Sequence, residues 1–222
     1  MKRIFPYMLA ALLVFAAVNA FSQDEKEKTD KVKTEKTEKA KKPETGAAAR
    51  HTPIRNKENK IVTIETSFGK MTLELFHDVA PAHADSFLAL TKKGFYNNLT
   101  FHRIVDGFMI QGGDPKGDGT GEASYHLNAE FSKLPHIEGT LSMARAADPN
   151  SASCQFFICL APAHFLDGQY TVFGQLLKGY DVLHAIGKVP VVAGPGGEKS
   201  TPVKPVVMTK VYQSDADGNP IK

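Results

Sequence analysis

The sequence predicts a mostly antiparallel β fold, a barrel or sandwich capped by helices, and three observations carry that reading. From Ile61 onward, short strand-like runs are broken at close intervals by Gly and Pro. Only two stretches of that region keep apolar residues at helical spacing. No segment repeats, and the roughly 160 residues involved suit one domain with a sizeable core.

Taken in order, residues 1–22 read as a secretory signal peptide. Lys2 and Arg3 precede an apolar run from Tyr7 to Val18, and Ala20 and Ser22 offer cleavage points. The run is short for a spanning helix, which needs about 20 residues, so an uncleaved anchor is the lesser reading. No cysteine follows to accept a lipid. A soluble exported protein is expected, with no stable membrane insertion after cleavage.

Residues 23–60 are dominated by Lys, Glu, Thr and Asp, with almost nothing apolar before Ile54. Such a stretch cannot bury enough surface to offset the entropy of ordering, and a disordered linker is expected. From Asp24 to Lys60 it holds twelve basic and eight acidic residues, and the signal peptide adds two more cations. Of the chain's +3, residues 61–222 therefore carry −3. The basic character lies outside the fold, and no nucleic-acid groove is expected.

The folded domain is placed at 61–213, with a tail at 214–222. Ile61–Thr66 and Gly69–Leu75 are strand-like, the second alternating Met71, Leu73 and Leu75 with Lys70, Thr72 and Glu74. Ser67-Phe68-Gly69 between them reads as a hairpin connection. Pro81 can open a helix that Lys92, Lys93 and Gly94 close, with Ala84, Phe87, Leu88 and Thr91 as its buried stripe. A shorter helix is expected from Asp181 to Ile186, turning Val182 and Ile186 inward.

The stretch with chemical content is Phe101–Asp114. It sets Arg103 and Gln111 among Phe108 and Met109 and closes on Gly112-Gly113, where backbone can approach a ligand. An arginine cannot give up its proton and holds its donors in a rigid fork, so this one suits polarising a neutral group. Standing alone, it would more simply be a strand arginine covering apolar surface with its stem.

It does not stand alone. The stretches Leu141–Leu160, with Ala144-Arg145-Ala146 and Ser153-Cys154-Gln155-Phe156-Phe157, and Phe165-Leu-Asp-Gly-Gln-Tyr-Thr-Val-Phe-Gly174 follow in turn. In order and nearly residue for residue, the three blocks resemble the cyclophilin family of peptidyl-prolyl cis-trans isomerases, from about Ile61 to Val211. The resemblance implies a closed eight-stranded antiparallel barrel with a helix at each end and a groove on its outer wall. It implies rotation of X–Pro bonds without a cofactor, by a catalytic set of Arg103, Gln111 and Phe108. With Phe108, Met109, Phe157 and Leu166 would line the proline pocket, Phe157 as its floor. Ala144, Arg145 and Ala146 would offer backbone groups to an extended peptide, with Gln155, Phe165 and Tyr170 around the same groove. Proline-containing peptides and unfolded exported proteins are the implied partners of a monomer. The Phe-Leu-Asp-Gly-Gln-Tyr run looks like the bacterial branch, which makes periplasm the first expected location and secretion the second.

Four residues depart from the family pattern. Phe165 stands for a tryptophan whose indole binds cyclosporin, so weak binding of that drug is expected. Tyr170 stands for a histidine, Arg145 for a frequent asparagine, and Cys154 for a serine. The last would put a thiol near the groove floor, open to oxidation. Cys154 and Cys159 are five residues apart in a strand-like run, about 16 Å between Cα atoms, beyond the ~7 Å reach of a disulfide. Two free, mostly buried thiols are expected.

Other chemistries find no support. Eight histidines and two cysteines contain no zinc-site spacing. His102 beside Arg103 should point to the other strand face, as a core or wall histidine. The glycine-rich run 112–121 lacks the ending of a phosphate loop and reads as a loop flanking the groove. Asp215–Gly218 resembles the start of a calcium loop without its glutamate, and Asn98-Leu-Thr100 fits a glycosylation acceptor. Two further readings of function stay open: a holdase module with incidental turnover, and a lysine-rich tether carrying a passive head.

Overall fold

The computed structural model describes residues 52–194 and 196–221, so the expected signal peptide and the linker up to residue 51 lie outside the described residues. The strands are β1 (Lys60–Thr66), β2 (Gly69–Leu75), β3 (Phe101–Val105), β4 (Met109–Gly112), β5 (Thr140–Met143), β6 (Phe156–Cys159), β7 (Val172–Lys178), β8 (Val191–Ala193), β9 (Lys199–Pro202) and β10 (Met208–Ser214). Among the described residues there are also two helices, α1 (Pro81–Lys92) and α2 (Tyr180–Gly187), and a 3-10 turn at His164–Leu166. Eight strands form one antiparallel sheet in the order β10-β1-β2-β7-β5-β6-β4-β3, and β8 and β9 form a separate hairpin.

The β1–β2 hairpin pairs from Lys60↔Leu75 to Thr66↔Gly69 across Ser67 and Phe68. The expected alternation in β2 fails at two positions, because Thr72 and Glu74 are buried along with Met71, Leu73 and Leu75. Thr72 joins Thr63 and Ser214 in a row of buried hydroxyls, at 3.1 and 2.8 Å. Glu74 accepts from the Arg55 and Asn56 backbone N–H groups at 2.8 and 2.9 Å and from Asn59 Nδ2 at 2.9 Å. Both polar positions are buried because partners satisfy them. The same contacts correct the linker, since Thr52 already donates to the Leu177 carbonyl at 2.9 Å. Residues 52–60, expected to be disordered, are part of the packed domain.

Helix α1 opens on Pro81 and buries Ala84, Phe87, Leu88 and Thr91, with His83 and Leu90 in addition. Its N-cap residue Ala80 has no capping side chain. Glu130, from a distant loop, accepts from the Ala82 and His83 N–H groups at 3.1 and 3.0 Å and from His83 Nδ1 at 2.6 Å. Helix α2 buries Val182 and Ile186 as expected.

The continuous closed ladder implied by the resemblance is not formed among the described residues. The sheet ends on β10 and β3, and their flanks meet through a single bridge, Thr100↔Val207, and backbone bonds from Asn98 to Met208, Met208 to Leu99 and Phe101 to Val206. Beyond Phe101 the β8–β9 hairpin takes over, with β9 against β3.

Side chains sort into two apolar clusters on opposite faces of the sheet. Phe101, Ile104, Ile110, Leu141, Phe156 and Ile158 belong to the large interior cluster, with α1 and α2 covering it. Met109, Phe157, Cys159, Ala163 and Leu166 form a smaller one on the outer face, edged by Val105, Phe108, Ala144 and Tyr170. Phe101 and Arg103 should share a face by strict alternation, yet Phe101 points inward and Arg103 outward. The reason is a register shift: Phe101 pairs with Gly112 and Arg103 with Gln111, leaving His102 as the extra residue of a bulge. His102 is half-buried, and both its ring nitrogens are buried without a hydrogen-bond partner.

Candidate active site

Cross-strand register lays the predicted residues side by side. Arg103 on β3 pairs with Gln111 on β4, Gln111 with Phe157 on β6, and Phe157 with Ser142 on β5. The next row is Val105, Met109 and Cys159. A cation, an amide and an apolar ring floor thus become neighbours on the outer wall through strand pairing alone.

A polar line runs along one rim. The Gln155 amide N–H group donates to the carbonyls of Gly119 and Gly121 at 3.1 and 2.7 Å, which leaves its oxygen to accept from Gln111 Nε2 at 2.9 Å. Gln111 then presents its own oxygen to Arg103 Nη1, at 3.2 Å. Both amides are oriented by what they must donate to. The loop that anchors this line is held by Asp114, only 1% exposed, which accepts from the N–H groups of Lys116, Asp118 and Gly119. On its other side Arg103 meets Glu198, from the β8–β9 turn, with Nε and Nη2 at 2.7 and 2.9 Å from the two carboxylate oxygens. That guanidinium holds the Glu198 carboxyl below the usual range.

Beside this rim lies the apolar floor. Phe157 and Leu166 are 5% and 8% exposed, Met109 and Ala163 are fully covered, and Met109 Sδ lies 4.0 Å from Arg103 Nη1. Phe108 and Phe165 close one end with ring centres 5.5 Å apart, Phe165 remaining half in solvent. Tyr170 meets Phe157 edge-on at 6.0 Å, and the Arg145 guanidinium sits over the Tyr170 ring.

Behind Phe157 the His136 ring stacks at 6.0 Å. Its Nδ1 bonds Asp167 at 2.9 Å and its Nε2 bonds Ser142 Oγ at 3.0 Å. Burial lowers the imidazole's proton affinity despite Asp167, and the Ser142 hydroxyl donates its proton to the Thr171 carbonyl at 3.0 Å. The order is that of a hydrolytic triad, but Ser142 is fully buried and cannot meet a substrate. The three residues buttress the pocket floor.

Two expectations need correction. Of the Ala144–Ala146 run, the Ala144 N–H donates to Gln155 and the Ala146 N–H to Ser151 Oγ, so a peptide is left the Arg145 N–H and C=O and the Ala144 C=O. Arg145 spends its own donors on the carbonyls of Gln169, Ala146 and Ala147. Cys154 is not at the groove floor. It is fully buried in the interior cluster, where burial raises its thiol pKa, and its position offers no route for oxidation. Cys159 is the thiol under the groove, with burial pushing it up to about 12. Both are free. Glu198 and His136 carry no sequence signal that would place them here, because each depends on a distant loop returning to the wall, while Ser142 and Asp167 lie inside the motif blocks without having been singled out.

Fold and site together place an apolar, aromatic patch on the outer face of a β sheet next to a fixed cation. Residues 61–213 match the family model described as cyclophilin type peptidyl-prolyl cis-trans isomerase/CLD, and the chain belongs to that family. It is a peptidyl-prolyl cis-trans isomerase. It is 44% identical over 133 residues to a peptidyl-prolyl cis-trans isomerase of Arabidopsis thaliana, covering 58% of this chain and 80% of that one. To a probable peptidyl-prolyl cis-trans isomerase of Brucella suis biovar 1 it is 43% identical over 143 residues, or 59% and 72% of the two chains. Among solved structures, a cyclophilin type isomerase of Cryptosporidium parvum superposes with a TM-score of 0.66 at 32% identity, covering 71% of this chain and 98% of that one. The same protein crystallised in the presence of the dipeptide Ala-Pro gives 0.65 at 33% identity, covering 70% and 99%.

Proposed function

We propose that the outer-wall groove binds proline-containing chains with the prolyl ring on Phe157, Met109 and Leu166, and that Arg103 drives rotation of the preceding amide. That amide faces a barrier of about 18–20 kcal/mol because resonance keeps it planar, and uncatalysed exchange takes tens to hundreds of seconds. As the amide twists, the prolyl nitrogen regains its lone pair and becomes an acceptor. A permanently charged donor aimed at it favours the twisted state over the planar one, each ~1.4 kcal/mol of preference giving tenfold in rate. No proton changes hands, and the mechanism is electrostatic preorganisation. Gln111 orients the guanidinium and bonds the substrate carbonyl, Phe108 closes the ring pocket, and the free Arg145 backbone groups and Ala144 carbonyl pair with the peptide as a strand would.

The observation that carries this reading is the Arg103 guanidinium held in one orientation, 4.0 Å from the sulfur of a pocket-lining methionine. The test is the cis-to-trans rate of a short X–Pro peptide with the full chain and with Arg103→Ala. The variant should lose orders of magnitude in turnover while still binding the peptide. Turnover at the wild-type level in Arg103→Ala would remove the assignment.

The physiological task is assistance to folding of exported proteins, as a monomer of the bacterial branch located in the periplasm. What supports it is the leader pattern of residues 1–22 and the Phe165-Leu-Asp-Gly-Gln-Tyr170 run. Cell fractionation with N-terminal sequencing tests it: the mature chain should begin at residue 21 or 23 in the exported fraction, and an uncleaved cytoplasmic chain would overturn it.

A further inference from the structure

Gln111 holds one terminal nitrogen of Arg103, which leaves open what fixes the rest of the guanidinium. A guanidinium has five N–H donors. Glu198 takes the one on Nε and one on Nη2, and Gln111 takes one on Nη1. Met109 Sδ, at 4.0 Å, weakly accepts the second on Nη1, and one on Nη2 remains. The Gln111 bond is the longest of the three to oxygen at 3.2 Å and is neutral on its acceptor side, whereas the Glu198 bonds are short, doubled and charge-assisted. The carboxylate therefore sets the plane and rotation of the fork.

The platform for Glu198 is built for this. Its residue lies 95 positions from Arg103, on a turn closed by Gly194 N–H to the Glu198 carbonyl at 2.8 Å and Gly197 N–H to the Gly194 carbonyl at 3.0 Å. Below the turn, Val203 N–H to the Pro190 carbonyl at 2.9 Å pins the base of the hairpin, and β9 lies along β3 itself. The charged groups facing the carboxylate are few: Arg103 from β3, with the Ser200 hydroxyl from β9.

As a stabilising ion pair this contact would contribute little, since both side chains are about 30% exposed and the attraction is screened. Its value is direction. A free arginine samples many rotamers, and misplacing a catalytic group by about 1 Å costs on the order of a hundredfold. Resting on the role given to Arg103 above, we infer that Glu198 is a positioning residue for the isomerisation, locking the guanidinium so that its terminal N–H groups face the prolyl amide.

The experiment measures kcat and KM of the full chain, Glu198→Ala, Glu198→Gln, Arg103→Ala and the Arg103→Ala/Glu198→Ala double variant on one Ala-Pro peptide. Glu198→Ala should lower kcat by about tenfold or more with KM within about twofold, because only the twisted state needs the aimed donor. Glu198→Gln, which keeps the shape and offers the fork only one acceptor, should lose most of the same kcat. In the Arg103→Ala background, removing Glu198 should change nothing further. The Arg103 Nε–H resonance, slow to exchange with water in the wild type, should exchange fast in both Glu198 single variants while thermal unfolding stays in place. Wild-type or increased kcat in Glu198→Ala, or an equal loss in the Arg103→Ala background, overturns the inference. Wild-type turnover in Arg103→Ala would instead remove the role of Arg103 itself, a different pattern from failure of Glu198 alone.

Discussion

The Arg145 guanidinium lies 4.5 Å from the centre of the Tyr170 ring, so two of the four departures from the family pattern are one contact. Arg145 also caps the carbonyls of Gln169, Ala146 and Ala147, fixing its charge at the groove edge. Arg145→Asn should raise KM by about two- to fivefold for peptides with an acidic residue beside the X–Pro bond and leave kcat unchanged. Tyr170→Ala and Arg145→Ala should be coupled by about 0.5–1 kcal/mol in substrate binding, the usual worth of an exposed cation–π contact. Strict additivity in a double-mutant cycle would show the two residues to be independent.

Residues 52–60 supply three hydrogen bonds to Glu74, which has no solvent exposure. A chain beginning at Ile61 strands that carboxylate in the sheet. It should lose about 3 kcal/mol or more of stability, read from urea unfolding against a chain beginning at Thr52. Equal midpoints for the two would show that water replaces the segment.

Burial lowers the pKa of His83, His102 and His136. In the unfolded chain these rings take up protons near the ordinary value of about 6.5, and the native state binds fewer. Their contribution to stability is complete above that value and is lost as pH falls through the lowered native values. Urea midpoints should therefore drop between pH 7.5 and pH 5.5, and the drop should shrink in His136→Gln. A flat profile would mean that the native rings protonate in place.

Neither thiol should react with an aromatic disulfide reagent in the native protein, since both are covered and burial disfavours the thiolate. Two equivalents should appear on unfolding. Fast labelling of one native thiol would mean that the wall opens at Cys159.

Phe165 stacks on Phe108 and stands 52% exposed, with no donor to offer a ligand. Phe165→Trp adds an indole N–H at that place and should tighten cyclosporin about tenfold, the worth of one hydrogen bond in a partly desolvated site. Calorimetry on both proteins decides it. Equal affinities would move the determinant elsewhere in the groove.

Much of this was readable from residues alone. The β1–β2 hairpin follows from alternation and Gly69, helix α1 from Pro81 and its stripe, and the grouping of Arg103, Gln111 and Phe157 from three motif blocks. What escaped reading has a common cause, namely tertiary partners that change what a residue type implies. Glu74 alternates with the apolar residues of β2 and so reads as solvent-facing, whereas donors from the 52–60 segment let it be buried. Glu198 sits among glycines in a turn, and nothing local ties it to an arginine 95 residues earlier. Cys154 precedes β6 in a bend, and whether it turns inward or outward is set by the pairing of β6 with β4 and β5 that follows. The closed ladder failed for a similar reason, since the edge of β3 beyond Phe101 is occupied by β9.

The bulge at His102 also gives the chain a register mark. Pairing β3 to β4 without the extra residue would put either Phe101 in solvent or the Arg103 guanidinium among the interior aromatics, and a buried unpaired charge costs several kcal/mol. A mispaired edge is therefore penalised at once, before the groove exists. The Arg103 charge thus favours the native register of the β3–β4 pair over the slipped one.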